Sequence, residues 1–242
     1  MELLKALYAI NSKSGKEIAL KEFVRSSLSD LDITIVEDEL GNLFITKGDV
    51  EAYPCIVAHL DEVHDVNDRQ IVVKGDMIYA LNSKGKQVGL GADDKNGVWI
   101  AIQLLHQQPV LQVALFVGEE KLGDLAGCRG ARGCSLEYFD KAKYLLQCDR
   151  KGASEIIVVG KNDVVLCGET FLPDNLLLKY GFQKVAGGRT DVVTLRERGL
   201  SKDCCNISCG YYNAHKTDEY TLFSELQNTL FFVTELLGTI GV

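Results

Sequence analysis

A chain of 242 residues with 46% hydrophobic content is long enough to bury one substantial core, and 3 prolines leave little material for linkers, so one large domain over 1–242 is expected. A formal net charge of -8 gives no cationic footprint for nucleic acid or an anionic membrane and argues against both as partners. No segment reaches the roughly 18 uncharged apolar residues of a membrane span.

Met1 to Leu7 mixes acid and base among apolar residues and lacks the uncharged core of an export signal, which points to the cytosol. In that compartment the 8 cysteines are expected as free packing thiols, since Cys204-Cys205 with Cys209, and Cys128 with Cys134, lack structural zinc spacing. Ser14-Gly15-Lys16-Glu17 has capping-box spacing, and Ile18, Leu20, Phe23, Val24 and Leu28 recur behind it at helical intervals. Ile33 to Val36 and Asn42 to Thr46 read as a hairpin turning near Gly41-Asn42, and Pro54 to Ala58 as a buried strand that delivers His59. Gln70 to Val73 and Met77 to Ala80 form a short excursion, followed by the glycine-rich stretch Gly85 to Gly91 and a helix from Lys95 to His106. The apolar run Leu111 to Val117 ends in Gly118-Glu119-Glu120, and the strand Lys143 to Cys148 ends in Asp149, with Ile156 to Val159 pairing near it. A helix from Thr221 to Leu237 closes the chain. Strands alternating with helices predict a three-layer α/β/α sandwich around a central mixed, mostly parallel sheet, with a site where polar residues follow the strands.

The candidates for that site are His59 and Asp61, Asp93, the Glu119-Glu120 pair, Asp149 and His215. Each has a structural alternative when taken singly: a core histidine, a helix N-cap, a turn acid, a loop residue. Their joint appearance after successive strands points to metal chemistry. Two closely spaced divalent ions need about two terminal ligands each plus a bridging carboxylate, and imidazole with carboxylate suits zinc. Asp61 lies two residues beyond His59, and on an extended chain that spacing puts both side chains on one face, so Asp61 can orient the imidazole. Adjacent glutamates on an extended chain point apart, so one can bind metal while the other acts as general base on a water; we give the base role to Glu119. His64 and His106 fit no ligand spacing and read as turn and helix-end residues.

His-x-Asp, then Gly91-Ala92-Asp93-Asp94-Lys95, then Gly-Glu-Glu, an isolated Asp149, and a late His215 followed by an acid resemble the co-catalytic zinc peptidase superfamily, which includes peptidase T, aminoacylase-type enzymes and single-domain zinc aminopeptidases. Gly187-Gly188-Arg189-Thr190-Asp191 and Gly210 to His215 are most similar to peptidase T. The resemblance implies two divalent ions, zinc first with cobalt and manganese as alternatives. Asp93 would bridge them, His59 and Asp149 would complete one site, and Glu120 and His215 the other. Asp61 would steer His59, and Glu119 would be the base. It implies an aminopeptidase or a tri- or dipeptidase acting on small peptides. The alternatives are an N-acyl amino acid deacylase or carboxypeptidase, with Arg150 or Arg189 gripping a carboxylate, and a non-catalytic binding module on the same fold. Two departures stand out. The interval from Asp149 to His215 is too short for the lid and dimerisation domain of peptidase T-like members, leaving Tyr211, Tyr212 or Arg189 as candidate oxyanion partners. The stretch from Glu120 to Gly133 is longer than the family's short turn.

Overall fold

The computed structural model describes residues 1–120 and 127–240. Its strands are β1 (Ile33–Glu37), β2 (Leu43–Lys47), β3 (Tyr53–His59), β4 (Gln70–Lys74), β5 (Met77–Leu81), β6 (Gln87–Val88), β7 (Leu111–Phe116), β8 (Ala142–Arg150), β9 (Glu155–Gly160), β10 (Val164–Val165), β11 (Gln183–Ala186), β12 (Asp203–Ser208), β13 (Tyr211–Tyr212) and β14 (Tyr220–Leu222). Its α-helices are α1 (Glu2–Ala9), α2 (Ile18–Ser27), α3 (Ala92–Gln107), α4 (Arg129–Gly133), α5 (Asp174–Tyr180), α6 (Asp191–Glu197) and α7 (Phe223–Ile240).

The main sheet runs β1-β2-β7-β3-β8-β12-β9-β10, with β11 also on β9. Its centre, β7-β3-β8-β12, is parallel, β2 and β9 flank it antiparallel, and β1 and β10 pair antiparallel with those two in turn, so the sheet is mixed and its parallel part is the part that is covered on both faces. Period-two alternation divides the core. Ile56 and Ala58 of β3 pack with Leu4, Leu20, Val98 and Leu230 on the face covered by α1, α2, α3 and α7, while Cys55 and Val57 pack with Ala131, Val192 and Leu195 beneath α4 and α6. All 8 cysteines are free and buried, which fits packing thiols. Among the described residues no helix is long and apolar enough to cross a membrane.

A smaller sheet, β13-β14-β5-β4 with β6 on β5, joins the excursion after β3 to the chain around His215. The excursion is therefore more than a hairpin: β14 pairs with β5, from Tyr220 opposite Tyr79 to Leu222 opposite Met77. Several expectations need correction. The closing helix starts at Phe223, because Thr221 is spent in β14. Ser14 does not cap α2; its hydroxyl donates to Asp61 Oδ2 at 2.6 Å, and Ile18 is 66% exposed. β12 lies between β8 and β9, so the strand at Ile156 does not pair with β8. The N-terminal residues form α1, with Leu4, Leu7 and Tyr8 buried.

Candidate metal centre

Three strands of the parallel centre run out at one edge. β3 ends at His59, β8 carries Asp149 at its end, and β7 turns through Val117 and Gly118 (φ 63) into Glu119 and Glu120. Asp93 arrives on the first turn of α3, where residues 93 and 94 depart from helical dihedrals and are joined by a cis peptide bond. Two glycines permit this approach. Gly91 has φ 71, and a Cβ there would lie 2.3 Å from Glu62 Oε2; a Cβ on Gly97 would lie 2.6 Å from the Cys148 carbonyl, so α3 rests directly on β8. His215 sits between β13 and β14 at φ 66, a left-handed conformation costly for histidine. The loop holds it there through Asn213 Nδ2 donating to Asp218 Oδ2 (2.9 Å) and Lys216 N to the Asn213 carbonyl (3.1 Å).

All seven residues singled out from the sequence meet at this edge. Asp93 Oδ1 is 3.0 Å from His59 Nε2, and Asp93 Oδ2 is 3.4 Å from His215 Nε2. Asp149 Oδ1 lies 3.6 Å from His59 Nε2, and Glu120 Oε1 lies 2.6 Å from His215 Nε2. Three groups of ligand atoms result, each with its atoms within 4.8 Å of one another: two triads that share Asp93, His59-Asp93-Asp149 and Asp93-Glu120-His215, and a third that brings Glu119 beside them, His59-Glu119-Glu120. Asp94 faces elsewhere, its carboxylate accepting the N–H groups of His59 and Gly97, each at 3.1 Å.

Asp61 works differently from a simple imidazole partner. Its main-chain carbonyl is 3.0 Å from His59 Nδ1, closer than its carboxylate at 3.5 Å. The carboxylate instead accepts the backbone N–H groups of Glu119 (2.9 Å) and Glu120 (3.1 Å), which fixes the direction of both side chains.

Burial pushes the carboxyls of Glu119 and Glu120 upward and that of Asp149 up to about 7, with neighbouring acids adding to the effect. Asp93 is the exception: burial raises it too, but the His215 and His59 rings outweigh burial and hold it below the ordinary range. Among the described residues no lysine or arginine pairs with Asp93, Glu120 or Asp149; their basic partners are the two imidazoles. An acid excess of this kind, in two triads around one shared carboxylate, fits a pair of divalent cations, whose charge balances it.

Several supporting residues were not singled out in the sequence. The buried carboxylate of Glu219 accepts N–H from Leu90 (2.8 Å), Gly91 (2.7 Å) and Asp93 (3.2 Å), gripping the turn that presents Asp93. The cue available was an acid four residues after His215. Gln147, two residues before Asp149 and so on its face, donates to Asp149 Oδ2 at 3.1 Å. Asn206 trades hydrogen bonds with the Asp149 backbone at 2.8 and 2.9 Å. Beneath the site a buried cluster joins Glu62 to Lys95 (2.8 Å) and Arg69. His64 is not merely a turn residue: its ring lies 3.4 Å from the Glu219 carboxylate. His106 ends α3.

A cavity of about 270 Å³ opens over the triads, walled by Glu119, Tyr211, Arg189 and Thr190 among others. Of the three oxyanion candidates, Tyr211 reaches inward, its hydroxyl 3.3 Å from Asp149 Oδ1. Tyr212 turns away to donate to Glu225 at 2.6 Å, and the Arg189 guanidinium is engaged by Glu197. Residues 121–126, part of the long stretch after Glu120, lie outside the described residues.

No family model and no curated protein matches the sequence. Solved structures do. The aminopeptidase PepT of Bacillus cereus aligns with a TM-score of 0.79 and 16% identity over 99% of this chain and 97% of its own. A tripeptidase of Staphylococcus aureus aligns at 0.78 and 15% over 99% and 97%. The TET1 peptidase of Pyrococcus horikoshii, described as assembling into a tetrahedron or a large octahedral shell, aligns at 0.70 and 16% over 98% of each chain. At such identities the likeness is one of fold. Along nearly its whole length, the chain shares the fold of these solved peptidase structures.

Proposed function

We propose that the protein is a di-metal peptidase that cleaves small peptides, an aminopeptidase or a tri- or dipeptidase, acting as a single catalytic domain without a lid. One observation carries the reading: the two oxygens of Asp93 face different histidines, His59 and His215, and each histidine has its own second acid, Asp149 or Glu120. Peptidases among the structures of like fold support it.

In this reading His59, Asp93 and Asp149 would hold one ion, and Asp93, Glu120 and His215 the other. Zinc, when bound, supplies Lewis acidity for a peptide carbonyl and lowers the pKa of water. Glu119 takes the proton of the attacking water and returns it to the departing amine. Its place beside the triads, with its backbone fixed by Asp61, suits that role. The Tyr211 hydroxyl is the donor best placed to meet negative charge on the carbonyl oxygen. Arg189 and Arg150 also line the cavity, each paired with a glutamate, Glu197 or Glu155, and the second reading, N-acyl amino acid or carboxypeptidase-type hydrolysis, requires one of them to turn to a substrate carboxylate.

The test pairs elemental analysis with hydrolysis of free and N-acetylated di- and tripeptides. The reading expects two bound or bindable divalent ions per chain and cleavage of free peptides. Glu119→Ala should retain metal and lose hydrolysis; full activity with metal retained would remove Glu119 from the mechanism. Preference for N-acetylated substrates would favour the second reading. A protein that binds no divalent ion would be a non-catalytic module.

A further inference from the structure

The cavity over the two triads adjoins a second one of about 660 Å³, and the two share Arg150, Lys151 and Ala214 as walls. The charge of the walls reverses along this path. The near end is acidic, with Asp93, Glu119, Glu120 and Asp149, whereas the far cavity carries Arg150, Lys151 and Lys216 against one acid, Glu155. Glu155 is already engaged, accepting from Arg150 Nε at 3.0 Å and Nη2 at 2.7 Å. Among the described residues, Lys151 and Lys216 have no ion-pair partner. Chain position explains the reversal. Asp149 is followed at once by Arg150 and Lys151, and His215 by Lys216, so the two segments that supply a ligand to each triad also project cations just beyond it. The protein as a whole carries a net charge of -8.

We propose that this second cavity is a subsite for a carboxylate of the substrate, held by Lys151 and Lys216, with Arg150 set in place by Glu155. The inference rests on the peptidase reading and narrows it. A short peptide spans the two cavities with its scissile amide over the triads and an anionic group among the lysines, so the enzyme selects peptides by where their negative charge lies. The carboxylate comes from the chain terminus or from an acidic side chain, and both share the chemistry that the lysines recognise.

The experiment measures kcat/KM of the zinc-loaded protein for Ala-Ala-Ala, for its C-terminal amide and for Ala-Ala-Asp-NH2, in the wild type, Lys151→Ala/Lys216→Ala and Lys151→Arg/Lys216→Arg. The wild type should prefer the free acid over the amide by about tenfold or more, chiefly through KM. The alanine pair should bring that ratio close to one and the arginine pair should restore it. Both lysines are exposed, so the substitutions leave the core intact. Cleavage of Ala-Ala-Asp-NH2 at the free-acid rate assigns the subsite to either source of carboxylate, and cleavage at the amide rate assigns it to the terminus; both support the subsite. Equal rates on acid and amide in the wild type, or a preference that survives the alanine pair, overturn it while leaving the peptidase reading standing. No hydrolysis of any of the three overturns the peptidase reading and this inference with it.

Discussion

The two triads that share Asp93 are built to different standards. His59 and Asp149 stand at strand ends in the covered centre of the sheet, with the His59 side chain 0% and the Asp149 side chain 6% exposed. The side chain of His215 is 50% exposed and rides on a loop held by the smaller sheet, opposite a glutamate that follows a turn. One half of the centre is thus part of the core, and the other is hung across its mouth. A ligand set that folding already fixes needs less ordering when a cation binds. The buried half should therefore take its ion first and hold it more tightly, and the open half is the one free to adjust to substrate.

The largest effect should come where the halves meet. Asp93→Ala removes a ligand from both, and we expect loss of both ions and at least about a 10³-fold fall in kcat/KM; elemental analysis and peptide assays check it. Next is the brace under the buried half. Glu62→Ala leaves Lys95 and Arg69 as buried cations without their acid and should cost about 3–5 kcal/mol of stability in urea titrations. Burial pushes the Glu62 carboxyl up, but Lys95 and Arg69 outweigh it and hold it below its ordinary 4.5. Its contribution is therefore fully present above pH 4.5 and is lost as pH falls through the lower folded value. Glu62→Gln should flatten that part of the stability–pH curve.

The comparison itself is tested by two histidine variants. His59→Ala should lose the tighter ion and about 1–3 kcal/mol of stability, because it empties a buried site among acids. His215→Ala should lose only the weaker ion and leave stability within about 1 kcal/mol. Zinc titration of the wild type should show two steps, and equal affinities in that titration would break the distinction. The smallest effect expected is that of Glu219→Gln, which keeps the shape but weakens the acceptor for three N–H groups: roughly tenfold weaker zinc binding, with the melting transition little changed.

Much of this could be read from the chain because strands that end in acids or histidines announce a sheet edge. β3, β7 and β8 were recognisable from their apolar runs, and the residues following them are the ones that meet at the site. What stayed hidden depends on long-range pairing. Nothing local indicates that Thr221 belongs to a strand beside β5 rather than to the closing helix, because its pattern suits both. Ser14 has the spacing of a cap, yet Asp61, distant in sequence, takes its hydroxyl. Glu219 and Gln147 look like surface residues until the fold sets backbone N–H groups and a carboxylate against them.

The account stands or falls on Asp93 as the shared ligand, and anomalous diffraction from crystals soaked in zinc tests it most directly. We predict two peaks, roughly 3.5–4 Å apart, each within bonding distance of a different Asp93 oxygen, with the stronger beside His59 and Asp149. A single peak, or two that do not share Asp93, would contradict it.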